Sequence, residues 1–126
     1  MKTVPASLRT WFVIHSIVDL LVGLPLLFFR GFTVSLFGLL PGDLLTPRLV
    51  AAALIGIGGI SFLARNETGK MYQMLLRLKL LWSGSAILAV LLSFTENVSW
   101  GSGIILGIFL FFFVVWGYYW NILRRK

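Results

Sequence analysis

The sequence predicts an all-α integral membrane protein, a four-helix bundle with a short interfacial or re-entrant segment between its first and second spans. Three observations lead there. Of 126 residues, 59% are hydrophobic and 12% are charged, against about 25% charged in an ordinary soluble domain. A globule this small could not hide so much apolar surface from water. The apolar residues also fall into four long runs, each near the roughly 20 residues that cross a hydrocarbon core. These runs take up most of the chain, so residues 1–126 read as a single transmembrane domain.

The first span covers about residues 10–29. "MKTVPASLRTWFVIHSIVDLLVG" opens like a signal peptide, with Lys2 and Arg9 ahead of an apolar run. That run continues to Phe29, beyond the about 7–15 residues of a signal core, and no small-residue cleavage site follows it. Pro25 lies in its second half, where it should kink the helix and free the carbonyl of Leu21. The link "RGFTVSLFGLLPGDLLTP" is too apolar for an aqueous loop and too broken by Gly38, Pro41 and Gly42 for a span. A short helix at the interface or a re-entrant segment fits it, with Arg30 and Arg48 anchoring its ends near the headgroups.

The second span covers about residues 47–64, with Thr46 as N-cap and Pro47 as first helical residue. Ala52 and Gly56 share a face there, which lets a neighbouring backbone come close. "RNETGK" is a polar turn, and the third span covers about 71–93. "TENVS" is the next turn, and the fourth span covers about 100–121, with Gly103 and Gly107 at the same small-residue spacing. "FLFFFVV", residues 109–115, reads as lipid-facing surface. Trp11, Trp100, Trp116 and Trp120 sit where interfacial anchors belong.

Charge sets the orientation. With four spans, one side holds Lys2, Arg9, Arg65, Lys70, Arg77, Lys79, Arg124, Arg125 and Lys126, which is nine of the 11 basic residues; Arg30 and Arg48 remain on the other. The positive-inside rule therefore places both termini in the cytoplasm and opposes dual topology. A net charge of +7 gathered on one face suits anionic lipid headgroups. No soluble basic surface exists for nucleic acid. Glycosylation patterns at Asn66 and Asn97 fall in turns on opposite sides, and chance explains both.

Chemistry is confined to few residues. There is no cysteine and one histidine, so no metal shell, disulfide or bis-histidine haem can be assembled, and no cofactor is implied. His15 and Asp19, four apart on the first span, point the same way. At about 1.5 Å per residue, they lie roughly 8 and 13 Å beyond Thr10, and Arg77 and Lys79 lie roughly 9 and 12 Å beyond Met71. A cation opposite would offset the cost of a carboxylate in hydrocarbon. Arg77 and Lys79 point apart on their helix, so one should face inward and the other should reach the headgroups. Lys70, Gln73 and Arg77 form one stripe, which favours Arg77 as the inward partner of Asp19; Trp82 and Ser83 follow one turn deeper. The candidate buried polar or ligand-binding cluster is His15, Asp19, Arg77, Lys79 and Ser83. A serine relay would require Ser16 or Ser83 to reach His15, with little oxyanion chemistry nearby, so the residues favour a non-enzyme.

The order of a proline-containing first span, then "F…LFGLLP", then "PRLVAAALIGIGGISFLARNE" resembles the DoxX-like family of small four-helix bacterial membrane proteins, over about residues 10–68. The resemblance implies a bacterial inner membrane and a link to respiratory or redox complexes, with no catalytic motif to carry over. Asp19 is also similar in place to the first-helix acid of the small multidrug transporters, although the acid differs and the charge bias opposes their antiparallel dimer. The expected protein binds a lipophilic small molecule, quinone-like or otherwise, or a lipid. Acting as an accessory subunit of a membrane complex, or assembling as a homo-oligomer, is the other expectation. The alternatives are a proton-coupled small-solute transporter using Asp19 and a purely structural assembly protein.

Overall fold

The computed structural model describes residues 3–39, 42, 45–96 and 98–125. Lys2, Pro41, Asn97 and Lys126 lie outside them, and with Asn97 the second glycosylation pattern. Among the described residues the regular structure is helical: α1 (Ala6–Phe28), α2 (Arg30–Leu36), α3 (Thr46–Leu63), α4 (Gly69–Ser93) and α5 (Trp100–Arg125). By length and composition α1, α3, α4 and α5 can each cross a membrane.

Local chemistry, more than hydropathy, sets the helix ends. Pro5 precedes α1, and its carbonyl accepts from the N–H groups of Leu8 and Arg9, so the helix begins four residues before the apolar run. Past Pro25 it continues to Phe28, and the Phe29 N–H closes on the Pro25 carbonyl at 2.6 Å. Phe29 leaves helical geometry (φ −127°, ψ 53°) and α2 starts at once. Gly38 stops α2 with a φ of 65°. The Gly38 and Leu39 N–H groups return to the carbonyls of Ser35 and Val34, the paired bonds of a Schellman ending. The expected short helix in this link is therefore present.

Thr46 is the first residue of α3 and not its cap; Leu45 holds the cap position, and Pro47 lies in the first turn. Thr68 caps α4 by accepting from the Met71 N–H, which starts that helix at Gly69. The Ser99 hydroxyl accepts from the Ser102 N–H at the start of α5. That helix runs on to Arg125, four residues beyond the apolar run, where basic side chains suit its negative end.

The chain divides into two compact units, Pro5–Glu67 and Thr68–Lys126 with Met1–Val4. In the first, α1 packs on α3 and α2 on α1; in the second, α4 packs on α5. The α1–α3 contact is closest at two glycines. A Cβ on Gly58 would stand 2.7 Å from the Asp19 Cβ and 3.3 Å from the Ser16 carbonyl oxygen. A Cβ on Gly23 would stand 3.1 Å from Ile55 and 3.3 Å from the Ala51 carbonyl. The buried face of α3 is Ala51, Leu54, Gly58 and Ser61. The expected face was Ala52 and Gly56, and both are exposed; Gly56 has no atom within 4 Å of a built Cβ. Gly103 and Gly107 of α5 are likewise exposed.

The distribution of polarity is inverted relative to a soluble protein. His15, Ser16, Asp19, Thr33, Ser61, Lys79, Ser83 and Ser102 are buried, while Ile17, Leu21, Leu63, Leu81, Val114 and many other large apolar side chains are exposed. Water would penalise so large an apolar exterior; hydrocarbon does not. Four apolar helices with this distribution describe a multi-pass membrane protein.

Candidate functional site

One face of α1 carries Leu8, Phe12, His15, Ser16, Asp19, Gly23 and Leu26, all buried. The spacing of three and four residues is that of a single helical stripe, and His15 and Asp19 belong to it by position alone. His15 Nδ1 lies 3.4 Å from Asp19 Oδ2, and the two residues are only 3% and 5% exposed. Beside them is the narrow part of the α1–α3 contact, where Gly58 admits the Asp19 side chain. The neighbouring hydroxyls turn inward to their own helices. Ser16 Oγ donates to the Val13 carbonyl at 2.6 Å, and Ser61 Oγ to the Ile57 carbonyl at 2.7 Å. A hydroxyl bonded in this way satisfies itself along its own helix.

The α4–α5 pair also buries a cation. Tyr72, Leu76, Lys79 and Ser83 line one face of α4. Lys79 is 1% exposed, and its Nζ lies 4.7 Å from the centre of the Trp116 ring, a cation–π placement. Ser83 Oγ donates to the Lys79 carbonyl at 2.7 Å. Trp116 is itself fully buried and stacks on Phe112 at 5.6 Å. It is a packing residue and not the interfacial anchor expected from its place near the end of the span. Within residues 109–115, Leu110, Phe111, Phe113 and Val114 are exposed as expected of a lipid-facing surface, while Phe112 is buried.

Of the five residues proposed as a cluster, the structure brings His15 and Asp19 together and sets Lys79 and Ser83 on one face. Arg77 departs from expectation. It is exposed, with its guanidinium 4.9 Å from the Trp120 ring, and Lys79 is the buried cation of α4. Lys70 is exposed as well, and Gln73, half-buried, turns to α5, where its Nε2 donates to the Leu123 carbonyl at 3.1 Å. Gly58 and Ser61 escaped the sequence reading, which also gives Trp116 a different role, that of an interfacial anchor. Gly58 and Ser61 continue the spacing of Ala51 and Leu54, a signal that was present but lost beside the denser Ala52–Gly56 pattern. Among the described residues no group of three or more His, Asp or Glu is placed to hold a metal.

No family model, curated protein or solved structure matches the chain. The DoxX-like resemblance stands on the residue pattern of 10–68 alone.

Proposed function

We propose that the protein binds a lipophilic small molecule or lipid, or serves as an accessory subunit of a membrane complex, through the polar centre His15–Asp19. The observation that carries this reading is the buried imidazole–carboxylate pair in a 23-residue apolar helix. Ionisable groups inside a span are costly, and a hydrophobic side chain would pack there without that cost. The pair offers a donor and an acceptor to the polar end of a quinone-like ligand or to a partner subunit. Native mass spectrometry of protein purified in mild detergent tests it. A lipophilic species should co-purify with the wild type and be lost from Asp19→Asn and His15→Gln at a temperature where both variants remain folded. Retention by both variants would exclude the pair from binding.

The 3.4 Å separation of Nδ1 and Oδ2 also favours a second reading, proton-coupled transport of a small solute with Asp19 as carrier. Proton release on adding the solute, abolished in Asp19→Asn, separates the two. We place both termini in the cytoplasm, supported by nine of 11 basic residues, and the protein in a bacterial inner membrane, as the DoxX-like resemblance of residues 10–68 implies. Glu67→Cys and Glu96→Cys, introduced into this cysteine-free chain, should label from opposite sides of the membrane. Equal labelling of each from both sides would reject a single orientation.

A further inference from the structure

Where α1 begins and α3 ends, a cleft of about 320 Å³ is lined by Arg9, Thr10, Val13, Ile14, Arg65 and Asn66. That volume is at the lower end of the roughly 300–1,000 Å³ of small-molecule sites. Two arginines, 56 residues apart in the chain, line it together. Arg9 donates to the Arg65 carbonyl at 2.6 Å. Arg65 donates to the Phe62 carbonyl at 2.9 Å, and its guanidinium carbon lies 4.0 Å from the Phe62 ring centre. Each is thus oriented by a main-chain carbonyl, and Arg65 also by a ring. Thr10 and Asn66 line the cleft beside them, the Thr10 hydroxyl donating to the Ala6 carbonyl at 3.2 Å; Val13 and Ile14 lie one helical turn further into the apolar run, and Glu67 is not among the lining residues.

We propose that this cleft binds the phosphate headgroup of one anionic phospholipid. The guanidinium fork matches two oxygens of a phosphate and holds them by charge-assisted bonds. The step from charged rim to apolar wall, about 6 Å along α1, follows the polarity of a lipid from phosphate to acyl chain. The site is separate from His15–Asp19, because Thr10 and Ile14 lie on the exposed side of α1. It rests only on the membrane-spanning reading of the helices.

The test uses the full chain, delipidated in detergent, with phosphatidylglycerol, phosphatidylcholine of the same acyl chains, and inorganic phosphate as probes. Native mass spectrometry should find one phosphatidylglycerol retained in preference to phosphatidylcholine. Arg9→Gln and Arg65→Gln should each weaken it about tenfold, the loss of one bond to a charged group. Arg48→Gln, at the far end of α3 and well beyond a screening length, should leave it within about twofold. Ile14→Trp fills the cleft with the Arg9–Arg65 bond intact and should weaken retention at least as much. Unchanged retention in Ile14→Trp overturns the proposal however Arg9→Gln folds. An equal loss in Arg48→Gln reduces the effect to general charge, and equal retention of phosphatidylcholine reduces it to an apolar annulus; either overturns it. Inorganic phosphate that displaces the lipid, and still binds Ile14→Trp, overturns the lipid in favour of a free anion.

Discussion

In the Pro5–Glu67 unit the helices meet through small residues: Gly23 and Gly58 bring the backbones of α1 and α3 together, with Ala51, Ser16 and Ser61 along the seam. In the other unit α4 and α5 meet through large ones, with Tyr72, Phe112, Trp116 and Tyr119 filling the space. Each pair buries an ionisable group of opposite sign. Asp19 sits in the narrow seam with an imidazole from its own helix, and Lys79 sits under the face of an indole. The contrast teaches that close backbone approach suits a short acid, whose carboxylate needs little room, and that a long cation is accommodated where rings leave a broad apolar surface. The first pair should therefore be sensitive to added atoms and the second to removed ones.

The largest effect should come from removing atoms in the second pair. Trp116→Ala empties a fully buried site and withdraws the ring from Lys79; the expected loss is about 3–5 kcal/mol, read as a fall in melting temperature in one detergent. A loss under about 1 kcal/mol would mean that the aromatic seam is not what holds α4 and α5 together. Next is an addition to the first pair. Gly58→Ala places a methyl 2.7 Å from the Asp19 Cβ and should cost about 1–3 kcal/mol, whereas Gly56→Ala, with open space around it, should stay within about 0.5 kcal/mol. Equal effects at the two glycines would break the distinction between seam and surface.

A double-mutant cycle sharpens the first pair further. His15→Gln, Asp19→Asn and their combination should be non-additive by about 1 kcal/mol, since residues in contact couple at this scale. Strict additivity would make the 3.4 Å approach energetically silent. The smallest effect is expected at Arg77→Gln, where an exposed guanidinium leaves the Trp120 ring; about 0.5–1 kcal/mol is the scale of such contacts. A larger loss than at Trp116 would reverse the assignment of Lys79 as the structurally important cation.

How far the sequence carried the structure depends on what each residue's signal measures. Four spans were legible because the hydrocarbon thickness fixes a length and an apolarity, and the link's short helix was legible because Gly38 interrupts an apolar run. The His15–Asp19 pair was legible because four residues of helix bring two side chains over each other with no help from elsewhere in the fold. Arg77 was misplaced because a polar stripe at the start of a span looks the same whether it faces inward or toward headgroups. Only packing decides, and the decisive neighbours of Lys79 include Trp116, 37 residues further on in the chain. Ala52–Gly56 misled for the same reason: small residues permit close approach, but which small face is used depends on the partner helix. The ends of α1 and α5 went beyond the apolar runs because helical hydrogen bonding continues wherever caps and propensities allow, whatever the solvent outside.

Both helix pairs are built from neighbours in the chain, and this has a consequence for biosynthesis. Once Glu67 is translated, every residue of the α1–α3 pair exists, while 59 residues up to Lys126 are still to be made. At about 5–20 residues per second that interval lasts roughly 3–12 s, long compared with the microseconds in which helices form. During it, Asp19 has His15 as a companion supplied by its own helix from the moment that helix forms. An acid whose first partner is encoded four positions upstream does not have to wait for the second half of the chain before it can leave water.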